Sequence, residues 1–424
     1  MFHFAYGEDG ILRAEDVPLP RIADEAGTPA YVYVRATLER HYRVFDEAFA
    51  GHPHLVCYAM KANSSRAILE ILARRGAGAD IVSGGELHRA LEAGIPPERI
   101  VFSGVGKTPV EMTEALDANI LAFNVESEPE LVELARAARD RGAVAPVSLR
   151  VNPDIDAETH PYIATGLRES KFGIPIDDAP SLAARIAGEA GLELVGLDCH
   201  IGSQIVTLDP LLSALDAVLS LSDRLRARGH DVTHVDLGGG LGIPYDREKP
   251  PHPRELGRAV IERMRGRPET LVLEPGRVIV GNAGLLLARV LYVKDAPGRR
   301  FLVLDGAMND LLRPSLYGAF HDIWPVVRPK SDDRATVDVV GPICESGDTF
   351  ATQRALPPVR AGDLLAIMSA GAYGYAMASN YNSRPRAPEV LVDRQRWSII
   401  RARENYDALT AGESLPPWLE GDEG

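Results

Sequence analysis

The stretch LVCYAMKANSSRAILEILARRG (55–76) sets the reading of the whole chain. It opens with a short run of apolar, strand-forming residues (55–60), turns over KANSS, and continues as RAILEILARRG (66–76), whose apolar positions recur at helical spacing up to a closing glycine. The unit then repeats. Further apolar runs stand at GADIVS (78–83), RIVFSG (99–104), ILAFNV (120–125), PVSLRV (146–151), ELVGLDCHI (193–201), HVDLGG (234–239) and TLVLEP (270–275). Between them lie helical patterns such as ELHRALEAG (86–94) and SEPELVELARAARDRG (127–142), the second opening with Ser127 and Glu130 at capping-box spacing. Gly76, Gly94, Gly142, Gly191, Gly229 and Gly266 stand where a glycine would end each helix.

Eight such units over a little more than 200 residues predict an α/β fold, a closed (β/α)8 TIM-type barrel, with an open doubly wound sheet as the alternative. A barrel gathers its chemistry at the C-terminal ends of its strands. Those ends carry Lys61, Ser83, Asn124, Asn152, His200, the glycines 238–240 and Glu274. Lys61 is the sharpest of these, because an ammonium closing an apolar strand is costly unless it is paired, reaches water or loses its charge. Taken alone it reads as a strand-end lysine whose amine reaches solvent.

After Glu274 the texture changes. Runs such as RVIVGNAGLLLARVLYV (277–293), RRFLVLDGA (299–307), ATVDVV (335–340), DLLAIMS (363–369) and EVLVDRQRWSII (389–400) lack helical spacers and predict a β-domain. The opening segment reads as a hairpin turning at GEDG (7–10) and is expected to join that domain. The expected organisation is a barrel over 30–276 and an all-β domain, sandwich-like or barrel-like, from 1–29 and 277–424, with an acidic tail from about 403 whose end is expected to be mobile.

The 424 residues carry 46 Lys and Arg against 60 Asp and Glu, a net charge of −14 with no basic run to follow a phosphate backbone, so neither nucleic acid nor an anionic membrane is an expected partner. The N-terminus shows no basic and apolar leader and no stretch approaches a membrane span, so a cytoplasmic location is expected. The three cysteines are too few and too scattered for a disulfide framework or a zinc site. No metal is expected, and Cys57 and Cys199, inside apolar runs, read as core.

Three motifs close strands. DLGGGLG (236–242) follows the seventh, where barrels often bind phosphate and where glycines let backbone N–H groups approach an anion, although GGGLG alone fits a tight turn equally well. LEPGR (273–277) closes the eighth with Glu274 and Arg277, a pair that is structural by default. HIGS (200–203) ends the sixth with an imidazole and a hydroxyl. Together, a lysine, a glycine run, a carboxylate and a flat imidazole suit pyridoxal 5′-phosphate, which needs an amine for its Schiff base, donors for its phosphate, an acid at its ring nitrogen and a surface against its ring. A lysine converted to an imine no longer stands in the strand end as a free ammonium.

YAMKAN, SGGEL (83–87), SGVGKT (103–108), RVNP…THPYIATGLRESKFGI (150–174), HIGSQ, DLGGGLG, EPGR, RPSLYGAF (313–320), GPICESGDTF (341–350) and SAGAYGYAMASNYN (369–382) resemble, in order and spacing, the diaminopimelate decarboxylases, members of the fold-type III, alanine-racemase-like group of pyridoxal-phosphate enzymes. The resemblance spans nearly the whole chain except about the last twenty residues. It implies decarboxylation of meso-2,6-diaminopimelate to L-lysine. It further implies that Lys61 carries the cofactor and that His200 stacks on its ring. Ser203, Gly239, Gly240 and the backbone of Glu274, Pro275, Gly276 and Arg277 would hold the phosphate side, and Glu274 would bond the ring nitrogen. Arg277, Arg313 and Tyr317 would bind substrate carboxylate, Glu345 the far amino group, and Tyr373 would lie against cofactor and substrate. Cys344 would donate a proton from a loop supplied by a second subunit of a homodimer. Without the resemblance Arg313 and Tyr317 read as a surface turn and Glu345 as a solvated charge. The rivals are ornithine or arginine decarboxylase, a racemase, and a non-catalytic homologue. A distal carboxylate suits Arg313 and Tyr317, whereas a distal amine would require acids.

Overall fold

The computed structural model describes residues 3–156 and 171–419. Most of the THPYIATGLRESK portion of the fourth motif, at 157–170, and the end of the acidic tail, at 420–424, lie outside the described residues. The chain divides into two compact units, one of residues 35–284 and 371–376, the other of residues 3–34, 285–370 and 377–419.

The first unit is the barrel. Its strands are β1 (His54–Ala59), β2 (Gly78–Ile81), β3 (Ile100–Phe102), β4 (Ala122–Val125), β5 (Ala145–Asn152), β6 (Leu192–Asp198), β7 (His234–Asp236) and β8 (Thr270–Leu273). Each pairs in parallel with the next, and β8 returns to β1 through Leu271↔His54 and Leu273↔Val56, so the sheet closes and the open alternative falls. Cys57, Val101, Ala122 and Val272 pack together in the interior, an apolar layer contributed by four strands. Toward the C-terminal ends the interior turns polar: Asp80, Ser103, Asn124, Ser148, Arg150, Asp198, Asp236 and Glu274 are all buried.

The helices between strands are α1 (Arg66–Ala73), α2 (Gly84–Glu92), α3 (Pro109–Ala118), α4 (Glu128–Arg141), α5 (Ala179–Ala187), α6 (Asp209–Arg226) and α7 (Pro253–Met264). At the start of α4, Ser127 accepts the Glu130 N–H, but the capping box expected there is only half formed. The Glu130 carboxylate instead takes Lys107 Nζ at 2.7 Å and the Glu126 N–H at 3.0 Å, leaving nothing for the Ser127 backbone. The complete box is at α3, where Thr108 and Glu111 exchange both bonds. Five of the six expected helix-ending glycines take positive φ; Gly191 does not, and its carbonyl accepts the Ala145 N–H at the start of β5.

The second unit is mostly sheet. Phe4–Tyr6 and Leu12–Ala14 form the expected hairpin, extended by Val17–Pro18 into three strands. Around the long strand Gly284–Ala296 a larger sheet assembles, and its strand Ala30–Val34 pairs in parallel with Glu389–Asp393. That fully buried AYVYV strand places the division at residue 35, where the sequence reading put it at 30. The far boundary falls at 284 instead of 276, and residues 371–376 return to the barrel. The return has a steric reason. A Cβ on Gly371 would sit 2.0 Å from the Val280 carbonyl oxygen, so only glycine allows this segment to lie against the barrel backbone. Gly371 N–H bonds Gly281 O at 3.0 Å, and Tyr373 N–H bonds Ala62 O at 2.8 Å. No helix among the described residues is long and apolar enough to cross a membrane.

Candidate active site

Lys61 does not close the first strand directly. β1 ends at Ala59, and one 3₁₀ turn, Met60–Ala62, swings the lysine over the strand ends. Its Nζ donates to Asp80 Oδ2 at 2.8 Å. Although a third of the side chain remains exposed, desolvation is the largest influence on the amine and lowers its pKa; the charges of Asp80, Glu274 and Tyr373 together with the Asp80 hydrogen bond outweigh it, and the net shift is upward.

Across the barrel, Glu274 is set by the turn after β8. Its Oε1 accepts from Asn124 Nδ2 at 3.3 Å and, at a long 3.4 Å, from Ser103 Oγ, while Asn124 Nδ2 also donates to Ser103 Oγ at 3.0 Å. Burial first, then Asp236, Asp80 and Asp198, push its pKa well above the ordinary carboxylate range. Burial likewise lifts Asp236 to about 7. Asp198, Asp236 and Glu274 each bring an oxygen within 4.8 Å of the others, and Asp198 Oδ1 and Oδ2 and Asp236 Oδ2 have no hydrogen-bond partner among the described residues. The barrel mouth thus concentrates buried acids that favour a cation or a shared proton.

His200 follows β6. The Gly239 N–H donates to its Nδ1 at 3.1 Å, so that nitrogen is an acceptor and a neutral ring carries its proton on Nε2. Burial, then the charges of Lys61 and Arg150, hold its pKa well below the usual value, which keeps the imidazole neutral. The glycine run is tightly cradled: a Cβ on Gly239 would meet Glu274 O at 2.2 Å, and one on Gly240, at φ +104°, would meet Gly202 O at 2.5 Å. Gly238 and Gly239 direct their N–H groups at Asp236 and His200, whereas the Gly240 N–H has no acceptor among the described residues.

Arg277 is buried, with Nη1 on Tyr245 OH at 2.7 Å, Nη2 on Ser203 Oγ at 2.8 Å, and its guanidinium 4.8 Å from the centre of the Tyr373 ring. Tyr373 itself holds φ +55°, a left-handed backbone conformation uncommon for an aromatic residue. Lys61, His200, Ser203, Gly239, Gly240, Glu274, Pro275, Gly276, Arg277 and Tyr373 all line one cleft with about 530 Å³ of empty space.

Residues 35–281 match the family described as pyridoxal-dependent decarboxylase, pyridoxal binding domain. The diaminopimelate decarboxylase of Pseudomonas aeruginosa is 55% identical over 98% of this chain and 99% of its own length. That of Vibrio cholerae is 50% identical over 98% and 100%. The chain belongs to the diaminopimelate decarboxylase family. Among solved structures, the M. jannaschii family member in complex with L-lysine superposes with a TM-score of 0.93 at 37% identity, covering 98% of both chains. The Helicobacter pylori member, also complexed with L-lysine, gives 0.89 at 42% identity over 93% of this chain and 98% of that one.

The residues present fit the family's pyridoxal cofactor. The cleft offers a primary amine, a neutral flat imidazole, a glycine run with a donor left over, and a buried acid cluster suited to a protonated ring nitrogen. The other expected residues belong to the sheet-rich unit. Arg313, buried, opens the short helix Arg313–Tyr317, and Tyr317, partly buried, closes it. Cys344 and Glu345 sit in an exposed loop, where the Cys344 N–H donates to Asn382 Oδ1 at 3.1 Å. Cys57 and Cys199 are buried, as expected of core residues.

Sequence reading missed the network beneath these groups. Asp80 partners Lys61, and Arg150 Nη1 bonds Glu126 Oε1 at 3.0 Å, while Glu126 also receives the Gly104 and Gly173 N–H groups. The available signal was a charge within an otherwise apolar strand: Asp80 in GADI, Arg150 in SLRVN, Asp198 in VGLD and Asp236 in HVD.

Proposed function

We infer that this protein is a diaminopimelate decarboxylase that converts meso-2,6-diaminopimelate to L-lysine and CO2, the last step of lysine biosynthesis. The observation that carries the reading is the cleft built around Lys61 in a chain 55% identical to a full-length member of that family. Pyridoxal phosphate, when bound, supplies an aldehyde that captures the substrate amine and a ring that accepts the electrons left by departing CO2.

The chain's residues have separate tasks. Lys61 supplies the amine, and Asp80 holds the proton on its Nζ when the lysine is displaced. Glu274, oriented by Ser103 and Asn124, keeps a proton at the ring nitrogen in a preorganised buried field. His200 stays neutral and presents its face to the ring. Ser203, Gly239, Gly240 and the backbone from Glu274 through Pro275 and Gly276 to Arg277 hold the phosphate side. Arg277, Arg313 and Tyr317 bind substrate carboxylate, Glu345 the distal amino group, and Tyr373 covers cofactor and substrate. Cys344 donates the proton that replaces CO2. The working unit is a homodimer in which Cys344 and Glu345 serve the partner's barrel, an arrangement supported by the resemblance and by the exposure of both residues. A cytoplasmic location belongs to the same proposal and follows from its biosynthetic role.

The test is direct. Purified enzyme is given meso-diaminopimelate, ornithine and arginine separately, and the released amine is identified. L-Lysine from the first alone supports the reading; putrescine or agmatine as the main product replaces it with the ornithine or arginine alternative.

A further inference from the structure

Arg313 is buried, and one of its contacts is unusual for a buried guanidinium. Its Nη1 lies 2.7 Å from Nε2 of His321, which is itself fully buried. The other ring nitrogen, His321 Nδ1, lies 2.8 Å from the Met368 carbonyl oxygen. These two partners fix the tautomer without ambiguity. Guanidinium can only donate, so Nε2 must be the bare acceptor; a carbonyl can only accept, so Nδ1 must carry the proton. His321 is therefore a neutral imidazole pinned at both nitrogens.

The pin rests on rigid backbone. His321 stands two residues before the strand Ile323–Pro325, which pairs antiparallel with Leu364–Ile367, and Met368 follows directly on that second strand. The Met368 N–H bonds the Asp322 carbonyl at 2.8 Å, so the two chain segments are tied where the imidazole bridges them. The ring thus transmits the position of a sheet end to a guanidinium tip on a separate short helix.

An imidazole in this place does something a carboxylate would not. It orients the guanidinium through a short hydrogen bond and brings no negative charge of its own to the cation. We propose that His321 is a positioning residue for substrate specificity, holding Arg313 in the orientation that receives the carboxylate retained in the product. The proposal rests on the reading of Arg313 as that carboxylate's ligand.

Two substitutions separate the two bonds. His321→Gln puts an acceptor oxygen near the place of Nε2 and gives up the donor to Met368. His321→Asn keeps a donor near the place of Nδ1 and gives up the acceptor for Arg313. Holoenzyme of each, and of Arg313→Lys as the benchmark, is assayed for KM and kcat with meso-diaminopimelate and for inhibition by L-lysine, with cofactor absorbance and Tm recorded. His321→Asn should raise KM and weaken lysine inhibition by about tenfold, the scale of one lost hydrogen bond to a charged group, with kcat changing less and the cofactor spectrum unchanged. His321→Gln should stay within about threefold of wild type on both, less than one such bond. A purely structural His321 would give the reverse order, or a fall in Tm with no change in KM, and either overturns the proposal. Should His321→Asn not fold, His321→Gln decides alone: a tenfold rise in KM in that folded variant overturns it. If Arg313→Lys leaves KM and lysine inhibition untouched, the reading of Arg313 falls and His321 with it. If Arg313→Lys is impaired while His321→Asn behaves as wild type, only the His321 proposal falls.

Discussion

Two lysines of the barrel unit reach buried carboxylates, and they are built for opposite ends. Lys107, with 1% of its side chain exposed, donates to Glu130 at 2.7 Å, to the Gly104 carbonyl at 2.8 Å and to the Asn124 carbonyl at 2.7 Å. Its three N–H bonds are all used, which is what a permanently buried ammonium requires. Lys61 has one acceptor among the described residues, Asp80, and a third of its side chain opens into the cleft. The fully satisfied lysine has no donor left to offer a ligand; the other, with a single acceptor among the described residues and its side chain facing the cleft, is the one to which the proposed function gives the cofactor. The two are also linked. By holding the backbone at Gly104 and Asn124, Lys107 steadies Ser103 and Asn124, the side chains that orient Glu274.

The largest expected effects come from removing either amine. Lys61→Ala should reduce turnover to background with the fold retained. Lys107→Ala should leave the buried Glu130 carboxylate without its cation, a loss of about 3–5 kcal/mol read as a fall in Tm, while turnover per folded molecule falls far less than in Lys61→Ala. A Lys107 variant that keeps its Tm but loses turnover would break the comparison.

The next effect concerns which chain completes the site. Lys61→Ala and Cys344→Ala homodimers should each be nearly inactive. Mixed under conditions of subunit exchange, each heterodimer regains one site with both residues intact, so activity should recover to roughly a quarter of wild type under random pairing of isologous subunits. Exchange demonstrated by a tag, without recovery, would place both residues in a site made by one chain.

The smallest effects lie beside the structural lysine. Thr108→Ala removes the acceptor of a complete capping box and should cost about 1 kcal/mol, read as Tm, with kcat/KM unchanged. Ser127→Ala removes half a box and should cost less. The reverse order would mean that the Ser127 hydroxyl supports its helix more than the half-formed capping geometry indicates.

The barrel was legible because its period is redundant. Eight apolar runs with helical spacers leave few closures, and strand ends such as Glu274 and the glycines 238–240 announce themselves. Lys61 and His200 stand out at strand ends for the same reason, whereas their roles, and that of Arg277, were legible only through the family resemblance. The supporting shell was not legible, since Asp80 meets Lys61 across 19 positions and Asn124 meets Glu274 across 150, distances over which local pattern carries no pairing information. The half-formed box at Ser127 failed for a related reason: the motif was correct in spacing, but a lysine on the preceding connection claimed the Glu130 carboxylate. The division at residue 35 was not legible because the strand that AYVYV pairs with, at 389–393, lies far away in sequence.

The most direct measurement reduces the holoenzyme with borohydride, digests it, and maps the lysine that retains the reduced cofactor. The account predicts label on Lys61 alone, with loss of the absorption of the lysine-bound cofactor. Label on Lys107, or on any other lysine in place of Lys61, would contradict it.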